Sequence, residues 1–157
     1  MSYSAIISRE LNTNFINLGF SGNALGEDEI AEYVAGLDMS VLVYDYEHNA
    51  PDVPHLEKTH EKMFKTIRAK HPELPVVMLT LPKYRLNREE RARLEVVKRT
   101  YENAVAAGDR NVYFIPGPTL MKYAKDEGSV DGCHPTDYGF ASMAKVLTPV
   151  LKKILLG

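Results

Sequence analysis

Short apolar runs alternate with helix-period segments along this chain, and that alternation limits its possible folds more than any other feature. Ser40-Val41-Leu42-Val43-Tyr44, Val76-Val77-Met78-Leu79-Thr80 and Asn111-Val112-Tyr113-Phe114-Ile115 are rich in β-branched and aromatic residues and are bounded by turn residues. Runs of this kind, without polar alternation, suit strands of a parallel sheet covered by helices. Phe15-Ile16-Asn17-Leu18 reads as a further strand, giving four in all. Between them lie helical patterns. Tyr3 to Leu11 carries Ile6, Ile7 and Leu11, and an acidic-first helix starts at Gly26 and ends near Gly36. Pro54 to Lys70 puts Leu56, His60, Met63, Phe64 and Ile67 on one face. Arg88 to Ala107 starts at an Asn87 cap and stops at Gly108. A closing helix, capped by Asp137, buries Phe140, Met143, Ala144, Val146, Leu147 and Leu151, and Pro149 is expected to kink or interrupt it.

With 157 residues and 45% hydrophobic content, residues 1–157 are expected to form one domain with a real core. A net charge of −2 with mixed signs carries no nucleic-acid or membrane signature. The basic run from Lys83 to Arg99 is interleaved with Glu89, Glu90 and Glu95, as on a solvated helix face. No apolar stretch reaches the roughly 18 residues of a membrane span, and the N-terminus has no charged-then-apolar signal pattern; because the start reads as internal to a longer protein, the compartment stays open. A single cysteine, Cys133, rules out an intramolecular disulfide. The five histidines have no zinc-ligand spacing, so no metal is expected. Gly19 and Gly22 lack the Lys-Ser/Thr of a phosphate loop and the third glycine of a dinucleotide fingerprint, so no cofactor is expected either.

Chemistry concentrates in three segments. Val130-Asp131-Gly132-Cys133-His134-Pro135 sets a carboxylate three residues before an imidazole. Such an Asp can fix the tautomer of the His and stabilise its imidazolium, leaving Nε2 to take a proton from a nucleophile. The plainer reading is a solvated turn whose Asp caps the next helix. Asn17 to Asn23 and Tyr44 to Pro51 each follow an apolar run, where open α/β sheets bind ligands. There Gly22 can present a bare backbone N–H, and Asn49 can donate its amide to a developing oxyanion. Asn23, Tyr46 and His48 either line that site or serve local structure.

In order and spacing, Gly22, Asn49 and the Asp131/His134 pair resemble the second, third and fifth sequence blocks of the SGNH (GDSL-type) hydrolases, over nearly the whole chain. The resemblance implies a flavodoxin-like, three-layer α/β/α sandwich that cleaves small-molecule acyl esters by a Ser-His-Asp mechanism without a cofactor. His134 would be the base and then the acid, with Asp131 as its orienter. The Gly22 N–H and the Asn49 amide would form the oxyanion hole. The family opens on a central strand ending in a Gly-Asp-Ser-like turn, whereas this chain opens on the helix pattern of Tyr3 to Leu11. That first strand and its nucleophile are therefore expected to be missing. Ser2, Ser4 and Ser8 lie on or before a helix, and Ser21 falls in the second block. Cys133 adjoins His134 but is a poor substitute, because Asp131 disfavours its thiolate. The chain alone is expected to be inactive, with two exposed sheet edges open to self-association. The polar Tyr46-Glu47-His48-Asn49 block points to small acyl groups on sugars or polar alcohols. The competing reading is a non-catalytic binding or interaction module on the same scaffold.

Overall fold

The computed structural model describes residues 2–157. In chain order its elements are α1 (Tyr3–Leu11), α2 (Asp28–Ala35), β1 (Leu42–Tyr44), α3 (Val53–Lys70), β2 (Val76–Leu79), α4 (Arg88–Ala106), β3 (Val112–Ile115), α5 (Gly117–Leu120) and α6 (Asp137–Leu156), with 3₁₀ turns at Glu47–Asn49 and Lys125–Gly128. They make an α/β fold in two compact units. One holds residues 19–80 and 88–115; the other holds residues up to 18, 81–87 and 116–157.

The first unit contains a parallel sheet in the order β1-β2-β3, with Tyr44 level with Met78 and Met78 level with Phe114. Val76, Val77, Met78 and Leu79 are all 1% exposed or less, which explains why the central strand reads as an unbroken apolar run. Helix α3 starts where Asp52 Oδ1 accepts the His55 N–H at 2.8 Å, with Pro54 in the first turn. Its buried face is Leu56, His60, Met63, Phe64 and Ile67, as the spacing predicts. Helix α4 buries Arg93, Val96, Val97, Thr100 and Ala104 on one stripe.

The second unit packs α1 on α6. Ser2 caps α1 by accepting the Ala5 N–H, and the chain leaves that helix through Asn12 in the left-handed region at φ 51°. Thr148 of α6 donates to Glu10 of α1 at 2.7 Å. Ser142, Met143, Ala144, Leu147 and Leu151 form the buried stripe of α6.

Four expectations are corrected. Residues 15–18 form no strand: Phe15 and Ile16 are 47% and 63% exposed, and the sheet has three strands. A strand has no ladder of its own, so an apolar run becomes one only where a neighbour supplies the partner groups, and residues 15–18 join no ladder among the described residues. Helix α6 runs unbroken through Pro149. That proline is exposed, so the Lys145 carbonyl it leaves without a donor can turn to water. The cap of α6 is Thr136, whose Oγ1 accepts the Gly139 N–H, and Asp137 is the first helical residue. Helix α2 begins at Asp28, because Gly26 takes φ 75°.

Candidate active site

The loop between the second 3₁₀ turn and α6 is held shut at its base. The Val130 N–H donates to the His134 carbonyl, and the Thr136 N–H to the Gly128 carbonyl, both at 2.9 Å. Gly132 turns the tip at φ 81°. Within this frame Asp131 uses both oxygens. Oδ1 accepts the backbone N–H groups of Cys133 (2.9 Å) and His134 (2.8 Å), and Oδ2 lies 2.6 Å from His134 Nδ1. The two His134 contacts, with help from the Cys133 N–H, hold the Asp131 carboxyl well below the usual carboxylate range. Its charge fixes Nδ1 as the protonated nitrogen of the neutral ring. His134 Nε2 is left without a protein partner among the described residues, on a side chain 79% exposed. This unit therefore brings Asp131 and His134 together as an oriented base.

Gly22, Asn23, Tyr46, His48 and Asn49 belong to the other unit. Ser21 and Gly22 are both left-handed, at φ 51° and 85°, and a Cβ on Gly22 would meet nothing within 4 Å. Backbone conformation, and not close packing, is what calls for a glycine there. Asn23 closes this turn locally, since its amide donates to the Phe20 and Ser21 carbonyls. Asn49 ends the 3₁₀ turn after β1, its N–H donating to the Tyr46 carbonyl at 2.9 Å. His48 sits half-buried in the same turn, and its Nδ1 is buried with no hydrogen-bond partner among the described residues.

Tyr46 is only 5% exposed and works from beneath. Its hydroxyl meets Thr59 Oγ1 at 3.0 Å, and Thr59 donates onward to the His55 carbonyl. A Cβ on Gly26 would lie 2.7 Å from that tyrosine oxygen, so only glycine lets the loop settle there. His55 Nε2 binds the Leu25 carbonyl at 2.7 Å, tying the same loop to α3. His60 lies beneath, 1% exposed, with Nδ1 2.9 Å from Thr100 Oγ1 and its ring stacked on Tyr46. Burial pushes its pKa down to about 3, so the ring is neutral.

Sequence reasoning missed Arg93. The basic run reads as a solvated face, yet Arg93 is 8% exposed and its guanidinium donates to the carbonyls of Glu47, Ala50 and Pro51. The signal was present, since Arg93 stands three and four residues before Val96 and Val97, on the apolar stripe of its helix.

Residues 1–152 match the GDSL-like lipase/acylhydrolase family. No curated protein matches the chain. Among solved structures it is similar to a protein described as a GDSL-like lipase from Bacteroides ovatus, at 32% identity and TM-score 0.84, over 98% of this chain and 47% of that one. It is also similar to the salicylyl-acyltransferase SsfX3 of a tetracycline biosynthetic pathway, at 16% identity and TM-score 0.80, over 98% and 49% of the two chains. A family two carbohydrate esterase from Clostridium thermocellum, solved with cellohexaose, matches at 18% identity and TM-score 0.70, over 98% and 54%. The last two likenesses show the fold alone. The chain spans about half the length of these structures.

Proposed function

We propose, from the premise that this chain belongs to the GDSL-like lipase/acylhydrolase family, that it carries the base and the oxyanion donors of a Ser-His-Asp acyl-ester hydrolase. The observation that carries this reading is the Asp131–His134 pair, with Nδ1 held at 2.6 Å and Nε2 left open. In the reaction a serine Oγ attacks the ester carbonyl carbon as His134 Nε2 takes the hydroxyl proton. The carbonyl oxygen becomes an oxyanion, which receives the Gly22 N–H and the Asn49 amide. Collapse of that intermediate breaks the bond to the alcohol, which leaves with the proton from His134. Water, activated by the same ring, then frees the acyl group. Asp131 supports the imidazolium at each stage.

Among the described residues, no serine stands at a strand-to-helix elbow. Ser21, within the second block, lies in an exposed turn at φ 51°. The chain alone is therefore inactive on this reading, and the nucleophile comes from outside it. Small acyl esters of sugars are the favoured substrates, supported by the polar Tyr46-Glu47-His48-Asn49 block and by the carbohydrate esterase among the fold relatives. For the chain alone, the missing serine favours a second reading, a non-catalytic binding module on the same scaffold.

The test of the site is its convergence. A crystal structure is expected to show the Asn49 amide and His134 Nε2 facing one cleft at the C-terminal ends of the strands. Finding them on opposite faces of the sheet would end the proposal.

A further inference from the structure

We infer that Arg93 is a positioning residue that fixes the turn carrying Asn49; the inference rests on reading Asn49 as an oxyanion donor. A buried guanidinium needs partners for its five N–H groups, and Arg93 finds them in an uneven way. Nη1 donates to the Glu47 and Ala50 carbonyls at 3.2 and 2.8 Å. Nη2 donates to the Pro51 carbonyl at 3.2 Å and to Glu89 Oε1 at 3.0 Å, and Nε reaches the same Glu89 oxygen at 3.3 Å. One carboxylate, itself 65% exposed, balances the charge. Everything else that holds the cation is backbone oxygen from residues 47–51, on both sides of Asn49.

Three carbonyl dipoles aimed at one planar cation leave the turn little freedom. The Asn49 N–H is fixed on the Tyr46 carbonyl, and Arg93 pins the 47–48 peptide ahead of it and the 50–51 peptide behind it. A donor for a developing oxyanion must be placed to within a fraction of an ångström, and a short exposed-edge turn does not achieve that alone. Arginine suits the task because its fork reaches several acceptors in one plane, whereas lysine offers a single point charge. The valines beside it on α4 build the core and make no such bonds to the turn.

The experiment is amide hydrogen exchange by NMR on the full 157-residue chain and its Arg93→Lys variant. Asn49 and Ala50 report the turn, through their bonds to Tyr46 and Glu47, and Val77 and Val97 report the core. Exchange at Asn49 and Ala50 is expected to quicken by about tenfold or more, with Val77 and Val97 within twofold of the parent. Unchanged exchange at the turn overturns the inference, and so does an equal rise at all four sites, which marks Arg93 as general scaffold. If Arg93→Lys does not fold, Glu89→Ala serves instead, because it frees the guanidinium on its exposed side. A rise confined to the turn supports the inference; no rise, or a uniform one, overturns it. Exchange reports positioning whether or not Asn49 meets an oxyanion. That separate question is answered by Asn49→Ala in a hydrolysis assay of the chain extended with a strand that carries the nucleophilic serine.

Discussion

Asp131 divides its work between two oxygens, one ordering the loop backbone and one orienting His134. Asp131→Asn separates these tasks, because an amide oxygen can still accept the loop N–H groups while its NH₂ cannot accept from Nδ1. The His134 ring should then lose its single tautomer, with Nε2 carrying the proton in a substantial share of molecules. Long-range ¹H–¹⁵N spectra at alkaline pH check this; an unaltered Nδ1–H pattern would remove Asp131 from its orienting role. His60 makes a different prediction. Its folded pKa of about 3 lies below the ordinary 6.5, so its contribution to stability is complete above the unfolded value and drains away as pH falls toward 3. Each unit of that gap is worth about 1.4 kcal/mol. Urea midpoints should fall between those pH values, and His60→Leu, though less stable at neutral pH, should show a flatter acid limb. Parallel limbs would show that other groups govern the acid response. The dyad was legible in the sequence because its members are three residues apart in one loop. His60 and Arg93 were not, since their partners Thr100, Glu47 and Ala50 lie far along the chain.

The dyad loop depends on how α6 receives it. Gly139 packs so tightly that a Cβ there would sit 1.9 Å from the Gly128 carbonyl oxygen, at the base of the loop. Gly139→Ala should therefore cost about 3 kcal/mol and move the His134 and Asp131 resonances more than those of β2. A destabilised variant with unperturbed loop resonances would separate the loop from the helix start. Helices α1, α3, α4 and α6 could be read from their period, because their hydrogen bonds lie within the segment that carries the pattern. Residues 15–18 have an equally suggestive pattern and form nothing regular, since a strand depends on a neighbour. Pro149 does not interrupt α6, because its exposed position makes the lost hydrogen bond tolerable.

At the scale of the molecule, β1 is the limiting element. Among the described residues it pairs only with β2, and because the Leu42 N–H points to the Pro75 carbonyl, the alternate Val43 peptide faces the open side. A strand added there would gain partners at once, and burying even two large aliphatic side chains with it would contribute roughly 3–6 kcal/mol. The α/β class was legible because the alternation of element types runs the length of the chain. Which strand neighbours which was not, because pairing is a property of the whole sheet. The measurement that bears most directly on the account is hydrolysis of p-nitrophenyl acetate by the chain alone and by the chain with a strand ending in Gly-x-Ser joined ahead of Ser2. Each is assayed beside its His134→Ala counterpart. The account predicts that the chain alone turns over no faster than its His134→Ala form, while the extended protein melts higher and is active, losing on the order of 10⁴-fold or more in kcat with His134→Ala. An acyl adduct on Cys133 or Ser21 of the chain alone would contradict it, as would an extended protein that gains stability yet hydrolyses no faster.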